Sequence, residues 1–287
     1  MPAAGLSPIT GAQRPLGTMI VYGFPNRKLE AELELAIGLG ATLLEILPEW
    51  RSYPDPAVVR DRAADRGLSI HSAHGCWGGT SIRAQKVDLG ATDPTVHQES
   101  IDDLKRCVDW LHKARGNCLV VHPGGLSIRE EHPVRRAALS RGLLALAEHA
   151  RATGIVVCVE NMPPGVHPGS RMADLAEIVA ELDHPQLALA LDTGHANMGE
   201  GLPTETRAAG SRLATTHVHD NDGRQDSHEP PGHGTIDWSA WGHALDSIGY
   251  GGPIVLECIR QIRQDPSSFM PEVLAGFART GRIKGEG

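Results

Sequence analysis

The chain has 287 residues, with 35 acidic against 27 basic side chains and a formal net charge of −8 at pH 7. That balance offers no broad basic surface for nucleic acid or anionic lipid. Hydrophobic residues make up 40% and aromatics 4%, enough for a substantial core, yet no apolar run approaches the ~20 residues a membrane-crossing helix needs.

Residues 1–16 lack the charged start and apolar stretch of a signal peptide and read as a loose, flexible arm. Residues 18–22 form a short apolar strand. Residues 28–39 follow with helical spacing of Leu29, Leu33, Ala36 and Leu39. A strand at 41–47, a helix at 56–66 and a strand at 68–74 come next, then a Gly-rich loop to about residue 93. The long amphipathic helix 94–114 runs through Ile101, Leu104, Val108 and Leu111, ahead of a strand at 118–122 and a helix at 133–153. The second half repeats the alternation: strand 155–160, helix 172–182, strand 186–192, a weaker helical segment near 204–211, strand 213–219, helix 238–248, strand 253–257 and a final helix at 271–280. Asp237 sits where a cap of the helix at 238 belongs.

Eight apolar strands alternating with helices are the pattern of a parallel sheet covered on both faces. Eight such units predict one (β/α)8 TIM barrel over residues 17–282. An open, doubly wound sheet would carry a Gly-rich phosphate fingerprint after its first strand, and Tyr22-Gly-Phe-Pro-Asn-Arg is not one. The five cysteines (Cys76, Cys107, Cys118, Cys158, Cys258) are odd in number and form no C-x-x-C pair. Cys118, Cys158 and Cys258 lie in apolar runs, which predicts buried thiols and a reducing, cytoplasmic setting.

Barrel enzymes place their chemistry at the carboxyl ends of the strands. Here those ends carry His74, His122, Glu160, Asp192, His219 and Glu257, with His195 three residues past Asp192 and Asp226 and His228 in the loop after His219. Imidazoles and carboxylates are the ligands of zinc-type or manganese-type ions, and these nine residues predict a ring converging on one mouth. A carboxylate ending an apolar strand such as IVVCVE or PIVLE is costly to bury without a cation. The other polar residues get plainer roles. His217, one pleat below His219, is expected to support a ligand more than to be one. Asp220 and Asp222 could hold ligand imidazoles, and His71 could pack or orient a neighbour. His112, His149, His184 and His243 are expected at the surface. Glu45 and Glu49 receive no role. Trp77 lies beside the mouth, and Arg224 and His233 lie in the loop after His219.

With these residues placed, the chain resembles the xylose isomerase-like barrel superfamily. The resemblance is carried by VVHPGG around His122, VCVENMP around Glu160, LALDTGHAN with Asp192 and His195, HVHDNDGRQDSHEPPGHGTIDW, and IVLECI with Glu257. It spans nearly all of the chain after the arm. In the sugar isomerase and epimerase branch it implies one divalent ion held by Glu160, Asp192, His219 and Glu257. The two glutamates then act as acid and base through a metal-stabilised enediolate, with substrate contacts from His195, Arg224, Trp77 and His233. His233 stands where such relatives commonly have Glu, a departure that bears on substrate contacts more than on the metal site.

In the endonuclease IV branch the resemblance implies three zinc ions, with His74, His122, His195, Asp226 and His228 added to the ligand set, and phosphoester hydrolysis. Every ligand type of both branches is present, so one to three ions (Zn, Mn, Mg or Co) are implied. The wording of the loop after His219 favours the isomerase or epimerase branch and a small sugar-like substrate, and the few cations in the candidate loops argue against DNA. A metal-binding barrel without catalysis is a third reading, and barrels of this kind often form homo-oligomers through their outer helices.

Overall fold

The computed structural model describes residues 14–79 and 81–264. Eight parallel strands close into one barrel with neighbours in chain order. They are β1 (Leu16–Tyr22), β2 (Leu43–Pro48), β3 (Ser69–His74), β4 (Cys118–Val121), β5 (Val156–Glu160), β6 (Leu187–Asp192), β7 (Leu213–Val218) and β8 (Ile254–Leu256). The helices are α1 (Leu29–Gly38), α2 (Pro56–Ala64), α3 (Pro94–Ala114), α4 (His132–Ala150), α5 (Met172–Leu182), α6 (Thr193–Met198), α7 (Leu202–Ala209), α8 (Trp238–Ser247) and α9 (Ile259–Gln264).

The helix starts are written into the sequence. Asp93 accepts from the backbone N–H groups of Thr95 and Val96, and Pro94 fills the first helical position, where its missing N–H costs nothing. Asp237 caps α8 through the Ala240 N–H, as its position predicts. α3 ends on Arg115 at φ 60° and α5 on Asp183 at φ 41°, both left-handed stops.

Alternation along the strands builds two layers. Leu119, Val121, Val157, Val159, Leu189 and Leu191 join the main core together with helical side chains such as Leu104, Leu143 and Ile178. Cys118, Val120, Cys158, Ala188 and Ala190, in step with Glu160 and Asp192, form a second small cluster inside the barrel. Cys107 and Cys258 are also buried, and Cys76 is half-buried.

Several boundaries move. β4, β7 and β8 stop one residue early, so His122, His219 and Glu257 are the first residues beyond their strands. The turn α6 was not expected, because six residues are too few for a periodic signal. Arg14 is buried, donates to the Tyr250 carbonyl at 3.0 Å and pairs with Asp246, so the expected arm does not extend to residue 16. Residues 1–13 and the final helix expected at 271–280 lie outside the described residues. His184 is buried instead of at the surface, because its ring closes the turn between α5 and β6: Nδ1 accepts from the Gln186 N–H and Nε2 meets Arg151. Among the described residues no helix is long and apolar enough to cross a membrane.

Candidate metal centre

The strand ends open into a cavity of about 610 Å³ lined by His74, Trp77, His122, Glu160, His195, Asp226, His228 and Glu257 with Met19, Leu47, Met162 and Arg260. Asp192 and His219 lie fully buried beside it. All nine expected ligand residues are therefore brought together. They fall into overlapping groups whose ligand atoms lie within 4.8 Å of one another: His74, His122 and Glu160; Asp192, His195 and His219; His219, Asp226 and His228; and Glu160, Asp192, His217 and Glu257.

Local contacts lock these side chains in place. Asn161 receives the Asp192 N–H on its Oδ1 at 2.8 Å and returns its amide to the Asp192 carbonyl at 3.1 Å, tying the ends of β5 and β6. Thr193 does the same to β7, donating to the His219 carbonyl at 2.6 Å and accepting its N–H at 3.0 Å. Gly194 is required where it stands, because a Cβ there would run into the His219 ring.

The imidazoles are oriented by what their inner nitrogens touch. Nδ1 of His74, His195 and His228 donates to the carbonyls of Gly75, Asn161 and Glu257 at 2.9, 2.8 and 2.9 Å. His122 Nδ1 lies 3.0 Å from Gln85 Oε1, whose amide group is committed to the Val87 carbonyl. Carbonyl oxygens only accept, so Nδ1 carries the proton in each ring and a neutral ring turns the lone pair of Nε2 outward. Those Nε2 atoms face carboxylates: His122 and His74 lie 3.5 and 3.9 Å from Glu160 Oε2, and His195 and His228 lie 3.4 and 3.3 Å from Asp226. Among the described residues, Glu160 Oε2 is buried without a hydrogen-bond partner. Lone pairs converging on an unpartnered carboxylate oxygen repel unless a cation lies between them, so the donor set fits a divalent ion.

Without an ion, protons take up part of that charge. Burial opposes a charged His195, but Asp192 and Asp226 outweigh it and raise its pKa well above the usual value. His228 is likewise raised to about 10, with Asp226 overcoming its burial. Hydrogen bonds from these two rings hold Asp226 below the usual carboxylate range despite partial burial. Glu257 and Asp192 are also lowered against their burial, Glu257 by His217 and Asp192 by His195 and His219. His122 goes the other way: burial, reinforced by His74, pushes it well below the usual histidine range.

The remaining expectations divide. Trp77 lines the cavity with its ring centroid 5.9 Å from that of His122. Arg224 and His233 are exposed and outside the cavity lining, and Arg260 stands on its wall. Asp220 meets a ligand imidazole through its backbone carbonyl, 3.5 Å from His219 Nδ1, and not through its side chain. Its carboxylate accepts from the N–H groups of Asn221, Gly232 and Ile236 and from Trp238 Nε1, which shapes the loop after β7. Asp222 is exposed and caps the turn at Arg224 and Gln225. His71 keeps the expected minor role, 3.3 Å from Cys118 Sγ.

Glu45, given no role from sequence, is fully buried and bonded to His217 at 2.7 Å. The cost of burying a carboxylate in an apolar strand applies to LLEIL as it does to IVVCVE, and it is the signal in the sequence that marks Glu45. Gln85 and Asn161 lie in loops without periodic pattern, and nothing local marked them.

A family profile described as "Xylose isomerase-like TIM barrel" matches residues 33–274. The chain is 32% identical over 261 residues to the D-psicose 3-epimerase of Ruminiclostridium cellulolyticum, covering 83% of this chain and 82% of that protein. It is 28% identical over 223 residues to a probable endonuclease 4 of Solibacter usitatus, covering 69% and 72%. Against an uncharacterized protein of Methanocaldococcus jannaschii the match is 30% over 173 residues and spans 56% of this chain and 57% of that protein. The structure of a D-tagatose 3-epimerase-like protein superposes with a TM-score of 0.74 at 21% identity, covering 88% of this chain and 95% of that one. The chain belongs to the xylose isomerase-like TIM-barrel family.

Proposed function

We propose that this chain is a divalent-metal-dependent isomerase or epimerase of a sugar-like hydroxycarbonyl compound. One observation carries the reading. Glu160 Oε1 and Glu257 Oε2, from strands on different sides of the mouth, face the same nitrogen, His217 Nδ1, at 3.0 and 3.1 Å. Two carboxylates thus look across one point at the base of a cavity large enough for a small molecule. The kinship with ketose 3-epimerases supports this choice.

Glu160, Asp192, His219 and Glu257 would hold the ion, of zinc, manganese, magnesium or cobalt type. When bound, it supplies Lewis-acid polarisation of a carbonyl and its neighbouring hydroxyl. One glutamate takes the proton from the carbon beside the carbonyl, and the other returns a proton from its own side, which inverts or relocates the centre. Nε2 of His195 orients a substrate oxygen. Trp77, Met19, Leu47 and Met162 cover the apolar face of the ring and keep bulk water from the carbanionic carbon.

A second reading rests on the Asp226–His228 pair, which the epimerase chemistry does not need and which closes a third ligand group. Three ions in this ring would suit phosphoester hydrolysis, the class to which the endonuclease 4 relative belongs by name. Arg260 is the one Lys or Arg among the described lining residues, too few to track a nucleic-acid backbone, so a small phosphodiester would be the substrate. The test is solvent deuterium uptake into a panel of ketoses and inososes, with metal counted per chain. Exchange at a carbon next to the carbonyl is expected. No exchange, together with three ions per chain and hydrolysis of bis(p-nitrophenyl) phosphate, would transfer the assignment to the second reading.

A further inference from the structure

Beneath the ligand ring lies a buried polar chain that neither chemistry uses. Glu45, in the middle of β2, is fully buried and both its oxygens are engaged: Oε2 accepts from Ser72 Oγ at 2.5 Å, and Oε1 lies 2.7 Å from His217 Nε2. Across the ring, His217 Nδ1 lies 3.0 Å from Glu160 Oε1 and 3.1 Å from Glu257 Oε2. Ser72 and His217 are as fully buried as Glu45. An ionised carboxylate only accepts, so a ring that meets carboxylates at both nitrogens donates at both. The chain Ser72–Glu45–His217 therefore runs across the barrel from β3 and β2 to β7 and ends in a fork on the two glutamates.

We propose that Glu45 is a positioning residue that acts through His217 to set the spacing and rotation of Glu160 and Glu257. The fork takes one oxygen from each glutamate and fixes its carboxylate plane. For Glu160 it leaves Oε2, the buried oxygen without a partner, aimed at the ion site. His219, one pleat higher, makes a different contact, with Nε2 3.0 Å from Asp192 Oδ2; the two histidines of the HVH segment thus have separate tasks. A buried carboxylate deprived of its imidazole would be left uncompensated, which ties Glu45, His217, Glu160 and Glu257 into one unit. The role rests on the reading of Glu160 and Glu257 as ion ligands.

The test uses the full chain, stripped with a chelator and labelled with 15N-histidine. In the metal-free wild type, His217 is expected to show both ring N–H protons in slow exchange with water, as are the Asp226-paired His195 and His228, and Glu45→Gln is expected to lose or shift the His217 pair while leaving the other two. On cobalt(II) titration, Glu45→Gln is expected to bind about 10–100-fold more weakly with an altered visible spectrum. Ser72→Ala, which removes one hydrogen bond and no charge, gives a smaller change in the same direction and serves as the comparison if Glu45→Gln does not fold, as judged by melting of the metal-free protein. A folded Glu45→Gln with wild-type cobalt affinity and spectrum overturns the proposal, as does a His217 signal that Glu45→Gln leaves unmoved. A wild type that takes up no cobalt removes the ion reading of the site, and the paired N–H signals then decide the positioning role on their own.

Discussion

In the lower part of the barrel interior, Val120, Cys158 and Ala190 fill the space with small neutral side chains. Two residues further along, at the ends of β5 and β6 and just past β4, stand Glu160, Asp192 and His122, nearly as well buried and all ionisable. Face and shielding from water are shared, so burial does not separate the two layers. Partnership does. The neutral layer needs only shape, whereas each charge above it needs a counter-charge, since an isolated buried carboxylate costs several kcal/mol. The upper layer answers with histidines, and the unpartnered Glu160 Oε2 marks where protein groups alone do not complete the balance.

The strongest way to break that contrast is to chelate the divalent ion that the proposed function requires. Chelation is expected to abolish deuterium exchange and lower the melting temperature, and re-addition at 100 times Kd is expected to restore about 2.7 kcal/mol. A protein equally stable with and without ion would mean that the upper layer balances itself. Next in size, Glu160→Gln and Glu257→Gln are each expected to slow exchange about 10²–10⁴-fold, measured by NMR of the recovered sugar. Unaltered rates in both would exclude the acid–base pair.

The lower layer is probed by Val120→Ala. Removal of its packing is expected to cost about 1–3 kcal/mol in urea unfolding with cobalt affinity unchanged. A parallel loss of affinity would show that the two layers act as one.

pH sharpens the same contrast. His228 is raised to about 10 by Asp226 despite burial. A raised histidine contributes stability that is fully present below its unfolded pKa of about 6.5 and lost as pH rises through the folded value. Asp226, held low by His195 and His228, contributes stability that is lost as pH falls through the carboxylate range. The metal-free chain is therefore expected to melt at progressively lower temperature from pH 7 to 10, and an ion in the His219–Asp226–His228 group, which only the second reading requires, would displace the His228 proton and flatten that profile. Calorimetric scans across that range check it. The smallest effects are expected from Arg224→Ala and His233→Ala, both exposed and outside the cavity lining. Stability stays within about 0.5 kcal/mol and kcat/KM stays near wild type; a large rise in KM for either would bring the loop after β7 back into substrate contact.

Much of this is legible in the amino-acid sequence. The eightfold alternation of apolar strands and helices specified a closed parallel barrel, because strand and helix periodicities are local and each cap, such as Asp93 before Pro94, is made within one turn. The rule that barrel chemistry sits at the carboxyl ends of strands then located all nine ligand-type residues, which one cavity region gathers. Tertiary structure decided what depends on atoms far apart in the chain. Glu45 and His217 are 172 positions apart and in hydrogen-bond contact; no local pattern encodes that pair, because it arises only when β2 and β7 face each other across the closed barrel. The same holds for Asp220, expected as one of two carboxylates that could hold ligand imidazoles, whose carboxylate turns instead to the N–H groups of its own loop. Residue type and strand position determined which groups reach the mouth, since side chains alternate along a strand whatever surrounds it. Which of those groups meet was settled only by closure of the barrel, since hydrogen bonds and charge pairing act over a few ångströms of space and not along the sequence.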